Sequence, residues 1–194
     1  MLNITTGIFQ KLREAPIERA MEREKRMNML GVNCRTSPIV LDEFTHAEPV
    51  SAYGVLDEGA LVAGDRAPDA PGLVVAASGT EAETTQTRLF DVFSPTCHTA
   101  LVFTQDAASS TDVLEALREY PGDVIRPVIV LPQGSEVTAV PQADIVVDHG
   151  GHAYRGYLAV KGERKVVVVR PDGVVGAIVR GVEGVGRYFS NIFV

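Results

Sequence analysis

The spacing of apolar residues changes character near residue 45. From Leu2 to about Leu30 it is helical: Ile4, Ile8 and Leu12 recur at intervals of four, and Ile17 and Met21 follow after a break at Pro16. That stripe needs a partner surface to be stable. A short apolar piece, Ile39 to Leu41, then reads as a strand closed by acidic residues. Between His46 and Gly79 runs a connection rich in Gly, Ala and Pro. Within it, "GDRAPDAPG" places Ala67 and Ala70 before prolines, which pushes both into extended backbone and predicts a stiff lead-in.

Beyond Thr87 the pattern alternates between strand and helix. "TRLFDVF" reads as a short strand or a turn of helix, and Thr99 to Thr104 as a buried strand. A polar loop leads to "TDVLEALREY", where Asp112 and Glu115 have the form of a capping box. Val113, Leu114, Leu117 and Tyr120 share one face of the predicted helix. "RPVIVLP" and Ala143 to Asp148 are further buried strands, and "GGHAYRGYLAV" is a short helical turn. "RKVVVVRPDGVVGAIVR" predicts a hairpin turning at Pro171-Asp172-Gly173, because the proline presets φ and the glycine accepts positive φ. The C-terminal "GVEGVGRYFSNIFV" predicts a final helix, weakened by Gly184 and Gly186 at about 1 kcal/mol each relative to Ala. Strand, helix, strand, hairpin and terminal helix is the order of an α/β thioredoxin-like domain, a central mixed sheet flanked by helices.

Length and charge narrow the function classes. A chain of 194 residues holds one domain with an arm, not two catalytic domains. A net charge of -7 disfavours a nucleic-acid partner, and the basic residues of "AMEREKRMNML" interleave with Glu22 and Glu24 as on a solvated helix face. No apolar run approaches the roughly 18 residues of a membrane span, and no signal-peptide pattern opens the chain. A cytoplasmic protein without membrane contact is therefore expected. The two cysteines, Cys34 and Cys97, form neither a CxxC nor a zinc spacing, and two unpaired thiols are expected.

The predicted fold poses its own chemical test. A thioredoxin-type thiolate sits at the start of the helix after the first central strand, where the helix N-terminus favours negative charge. Here that position reads "QDAASSTD", without cysteine, and "GERKV" stands where a proline would precede the hairpin. A Pro-Thr-Cys run does occur, as Pro95-Thr96-Cys97, but ahead of the strand instead of beyond it, so Cys97 is expected to be structural. His149 and His152, three apart beside Asp148, have the spacing of a metal pair with His98 as the one candidate third ligand; surface histidines account for them equally. Tyr154, Arg155 and Tyr157 suit a small-molecule pocket or a polar dimer interface. "GVEGVG" is not a dinucleotide fingerprint, and neither a Walker lysine nor a Gly-x-Ser-x-Gly elbow is present.

Six segments in order, "MLGVNCRTSPIVLDE", "AGDRAPDAPGL", "TRLFDVF", "ALVFT", "ADIVVDHGGHAYRGY" and "VVVVRPDGVV", resemble the C-terminal portion of FAD-dependent aromatic hydroxylases of the phenol hydroxylase group. The resemblance implies that residues 1–45 correspond to the end of that family's flavin and substrate region. It implies that residues 46–194 correspond to its thioredoxin-like C-terminal domain, which lacks a redox dithiol and is associated with dimerisation. Gly64, Asp65, Arg66, Pro68 and Asp69 would then form the structural entrance to the domain, with Asp65 and Arg66 pinning it through local hydrogen bonds. They are not the family's flavin Gly-Asp motif. Neither flavin motif is present, so no cofactor is expected on this chain and FAD would come only from a partner. Cys34 stands where many members carry an aromatic residue. The expected function is a non-catalytic homodimeric module, with a flavoprotein as a further partner. Two alternatives stand beside it: an independent enzyme for an aromatic or polyketide-like molecule using His98, His149, His152 and Tyr154 as acid/base groups, and a subunit of a split FAD monooxygenase.

Overall fold

The computed structural model describes residues 32–45, 60–76 and 85–193. The predicted helix from Leu2 to Leu30, and most of the connection that follows residue 45, lie outside the described residues. In chain order the elements are β1 (Leu41–Asp42), β2 (Leu73–Val75), β3 (Gln86–Thr87), α1 (Leu89–Val92) and β4 (His98–Phe103). A 3-10 turn (Ala107–Ser110) runs into α2 (Thr111–Leu117), followed by β5 (Ile125–Pro132), β6 (Asp144–Asp148) and α3 (His152–Gly156). The hairpin β7 (Lys165–Val169) and β8 (Val175–Val179) precedes α4 (Val182–Ser190).

Among the described residues the strands form one mixed sheet in the order β1-β8-β7-β4-β5-β6-β2-β3. β4, β5 and β6 run parallel, and the β7–β8 hairpin lies antiparallel beside β4. Parallel neighbours need a crossover connection, and α2 supplies it between β4 and β5. This is the thioredoxin-like arrangement that the element order predicts.

The central strands read as continuous apolar runs because both faces are covered. On one face Ala100, Val102, Ile129, Leu131, Val166 and Val168 pack with Val113, Leu114 and Leu117 of α2 and Val185, Tyr188 and Phe189 of α4. On the other, Leu101, Phe103, Val128, Val130 and Val167 pack with Leu89 and Val92 of α1, Ala153, Tyr154 and Tyr157 of or beside α3, and Ala67, Ala70 and Leu73 of the entrance segment. The alternation of strand side chains sends odd and even positions of β4 and β5 to opposite layers.

Several local expectations are corrected. The predicted capping box does not form: Ser110 precedes α2 without a side-chain cap, and Asp112 accepts instead from Val113 N at 2.8 Å and from Arg164. The cap lies one turn earlier, where Asp106 accepts from Ala108 N at the start of the 3-10 turn. α2 starts at Thr111 but ends at Leu117, so Tyr120 lies beyond it. "TRLFDVF" is strand at its first residue and helix from Leu89 to Val92. The edge strand near Ile39 is Leu41–Asp42, parallel to β8. Gly184 lies in α4 as expected, but a Cβ there would meet Val179 and come within 2.8 Å of Glu43 Oε1. Its helix-propensity cost therefore accompanies a close approach of α4 to the sheet.

Candidate functional site

The end of the sheet at Phe103 is where a thioredoxin-like fold places its chemistry, so the turn from Thr104 to Asp112 is the candidate site. Thr104 and Ser110 of this turn are buried, whereas Ser109 and Thr111 are exposed, and all four hydroxyls bond within the turn. Thr104 Oγ1 lies 3.0 Å from Asp106 O and 2.8 Å from Ser109 Oγ, and Ser109 Oγ donates to Asp106 O at 2.7 Å. Ser110 Oγ donates to Ala107 O at 2.6 Å and Thr111 Oγ1 to Ala108 O at 2.7 Å. Side chains that satisfy nearby backbone in this way are tied to the turn. Arg164, which precedes β7 in the expected proline's neighbourhood, reaches across to Ser109 O at 3.1 Å and Asp112 Oδ1 at 2.6 Å. The place of a nucleophile is thus occupied by a self-bonded Ala-Ala-Ser-Ser turn latched by an arginine. The only histidine in β4, His98, is at the strand's other end.

Cys97 adjoins that other end, about 17 Å from Phe103 along a six-residue strand. Cys34 and Cys97 are both free and half-buried.

The acid/base candidates do not converge. His98 is half-buried against α4, edge-on to Tyr188 and Phe189 with centroids 6.1 and 5.6 Å away. Burial lowers its pKa, and the Arg170 charge adds to that. Tyr154 is on the opposite face, edge-on to Phe103, with its hydroxyl 2.9 Å from Thr104 O and 3.1 Å from Val130 O. Burial and then the Asp148 charge raise its pKa, which leaves a neutral phenol held by the carbonyls of Thr104 and Val130. His149 and His152 are exposed. Asp148, the last residue of β6, is 1% exposed and turned to the backbone: its oxygens accept from His152 N at 3.0 Å and Tyr154 N at 2.9 Å. Among the described residues no three His, Cys, Asp or Glu side chains are grouped to hold a metal ion.

The entrance residues are held by their surroundings. Gly64 has φ +100° and lies against the backbone of Arg35, where a Cβ would overlap; its N–H donates to Val175 O and its carbonyl accepts from Cys34 N, each at 2.7 Å. Asp65 accepts from Val62 N at 3.0 Å and pairs with Arg35 at 2.6 Å. Arg66 bridges Val174 through its backbone, while its side chain is exposed. Pro68 O accepts from the Tyr157 hydroxyl at 2.7 Å, a phenol whose pKa burial raises. Asp69 accepts from Phe90 N at 3.0 Å and pairs with Arg88. Burial opposes its ionisation, but these hydrogen bonds outweigh it and hold the carboxyl below its ordinary range.

Lys165, Arg164 and Arg35 were not singled out by the sequence. Lys165 is buried, donates to Tyr157 O and Leu158 O at 3.2 and 2.7 Å, and lies 4.5 Å above the Phe44 ring, with burial lowering its pKa. A lysine opening an otherwise all-valine strand was the available signal.

Among the described residues no helix is long and apolar enough to cross a membrane. No protein-family model matches the sequence, and no curated protein matches it. Among solved structures, the chain is similar to the thioredoxin domain of a thiol-disulfide oxidoreductase from Bacteroides vulgatus, at 14% identity over 69% of this chain and 99% of that one, with a TM-score of 0.49. It is similar to a putative thiol:disulfide interchange protein DsbE from Chlorobium tepidum, at 20% identity over 68% and 98%, with a TM-score of 0.49. A third likeness is to the flavin-dependent monooxygenase PieE in complex with FAD and substrate, at 15% identity over 83% of this chain but 25% of that one, with a TM-score of 0.50. At such identities the likenesses bear on fold alone, and that fold is thioredoxin-like.

Proposed function

We propose that the chain is a thioredoxin-fold accessory module without thiol chemistry of its own, related to the C-terminal domain of FAD-dependent monooxygenases of the phenol hydroxylase group. It acts as a homodimer in the cytoplasm, and any flavin it works with is held by a partner chain. The observation that carries this reading is the turn from Thr104 to Asp112. Its hydroxyls bond within the turn and Arg164 ties it to the residue before β7, and the position that would hold a redox thiolate has no sulfur. Support of a second kind is the likeness to PieE, which extends over 83% of this chain against 69% for the oxidoreductase domain. The independent-enzyme alternative gains nothing from the geometry, because His98 and Tyr154 are on opposite faces of the sheet.

Light scattering on the purified chain over a range of concentrations, with a visible absorption spectrum of the same sample, tests the proposal. The expected result is the mass of two chains and no flavin band. A monomer at every concentration removes the dimer, and stoichiometric FAD removes the claim that a partner supplies it.

A further inference from the structure

The lower end of the α2 face is incompletely covered. α2 has seven residues, about 10 Å of helix, whereas β5 beneath it has eight, about 26 Å of strand. No helix joins β5 to β6; that connection returns as an irregular loop. What remains is a partly open cleft of about 530 Å³ between the C-terminal end of α2 and residues 141–142. Leu114 and Leu117 form one wall and Ile125 and Pro127, on the same face of β5, form the floor. Arg118, Tyr120 and Gln142 bring polar groups to its edge.

Three features of this cleft point to a ligand. Its volume lies within the range of about 300–1,000 Å³ usual for small-molecule sites. Arg118 has no ion pair among the described residues; Arg66, Arg155 and Arg180 have none either, but of these four arginines Arg118 alone lines the cleft. Glu115, Glu119 and Asp123 lie close in sequence, but none of them lines the cleft or pairs with Arg118. Gln142 is held at φ 66°, a left-handed conformation uncommon for a residue with a side chain.

We propose that this cleft binds a small carboxylic acid with an apolar body, the body on Leu114, Leu117, Ile125 and Pro127 and the carboxylate on the Arg118 guanidinium. Apolar contact alone would accept any hydrophobe; the unpaired guanidinium selects an anion, because a planar fork of donors matches a carboxylate. The site is independent of the thioredoxin position, since it lies at the opposite end of α2 from Ser110, and it does not depend on the functional reading above.

Cinnamate is the probe, with cinnamyl alcohol and cinnamylamine as neutral and cationic counterparts, followed by amide chemical shifts in two-dimensional NMR. Cinnamate is expected to shift the Arg118, Gly122 and Gln142 amides saturably, with the alcohol about tenfold weaker and the amine weaker still. Arg118→Gln, at an exposed position that leaves the fold intact, should weaken cinnamate about tenfold and leave the alcohol unchanged. Equal affinity for acid and alcohol, an unaltered affinity in Arg118→Gln, or shifts confined to other surfaces would each overturn the assignment.

Discussion

Replacing Asp148 with alanine removes the acceptor for two backbone N–H groups at once. The N–H of Tyr154 is buried and 2.9 Å from the carboxylate; that of His152 is part-buried at 3.0 Å. An unsatisfied buried donor costs about 1–3 kcal/mol, and a lost cap at a more accessible helix end about 1 kcal/mol. Together they give a destabilisation of about 3 kcal/mol. For a chain of this size that is a fall in melting temperature of roughly 6–12 °C. Asp148→Asn keeps one acceptor oxygen and should lose about half as much. Urea denaturation is the assay, because a shifted midpoint at constant slope separates lost stability from an altered unfolded state. An alanine variant within about 0.5 kcal/mol of the parent would refute the reasoning, since that is the range of a surface substitution. It would mean that Asp148 does not hold α3, and with it Tyr154, in place.

Tyr188 is fully buried, with a hydroxyl that finds no protein partner among the described residues and a pKa that burial pushes up to about 12. Tyr188→Phe should therefore raise stability by up to about 1 kcal/mol in the same urea assay, and a clear loss would show that the hydroxyl is satisfied. His98 has a folded pKa below its ordinary 6.5 because it is buried among aromatic rings, so the unfolded chain binds its proton more readily. Its contribution is fully present above about pH 6.5 and is lost as pH falls through that value toward the lowered folded pKa. His98→Phe should flatten this part of the stability profile; an unchanged slope would assign it to other groups. At the entrance, Asp65→Ala should cost about 1–2 kcal/mol because it frees Arg35 and the Val62 N–H, both part-buried. Arg66→Ala, at an exposed side chain, should stay within about 0.5 kcal/mol, and equal losses in the two would show that Arg66 shares the pinning.

What was legible in the sequence followed the length of each pattern. The runs "TALVFT", "RPVIVLP" and "KVVVV" are long enough for an apolar stretch to declare a doubly covered strand, and Pro171-Asp172-Gly173 declares its turn chemically. Leu73–Val75 and Gln86–Thr87 are too short to show any period, and they exist because β6 presents an open edge to pair with. The Asp112–Glu115 spacing satisfied a local rule that lost to the 3-10 turn upstream, where Asp106 had already taken the cap. The empty thioredoxin position was readable as a missing cysteine. The contact of Arg164 with that turn was not, because 52 residues separate the guanidinium from Asp112 and only the folded sheet brings them together. Likewise His98 and Tyr154 looked like possible companions among the titratable residues, but the fold puts His98 beneath α4 and Tyr154, on α3, against the other face of the sheet.

The central claim is a thioredoxin-like scaffold without thiol chemistry, and it is tested most directly by disulfide reduction and peroxide consumption with dithiothreitol as the electron source. The two half-buried thiols, Cys34 and Cys97, are the only sulfhydryls the chain has. The account predicts rates equal to the reductant alone for the parent chain and for Cys34→Ser and Cys97→Ser. Turnover above that background, abolished by either substitution, would contradict it.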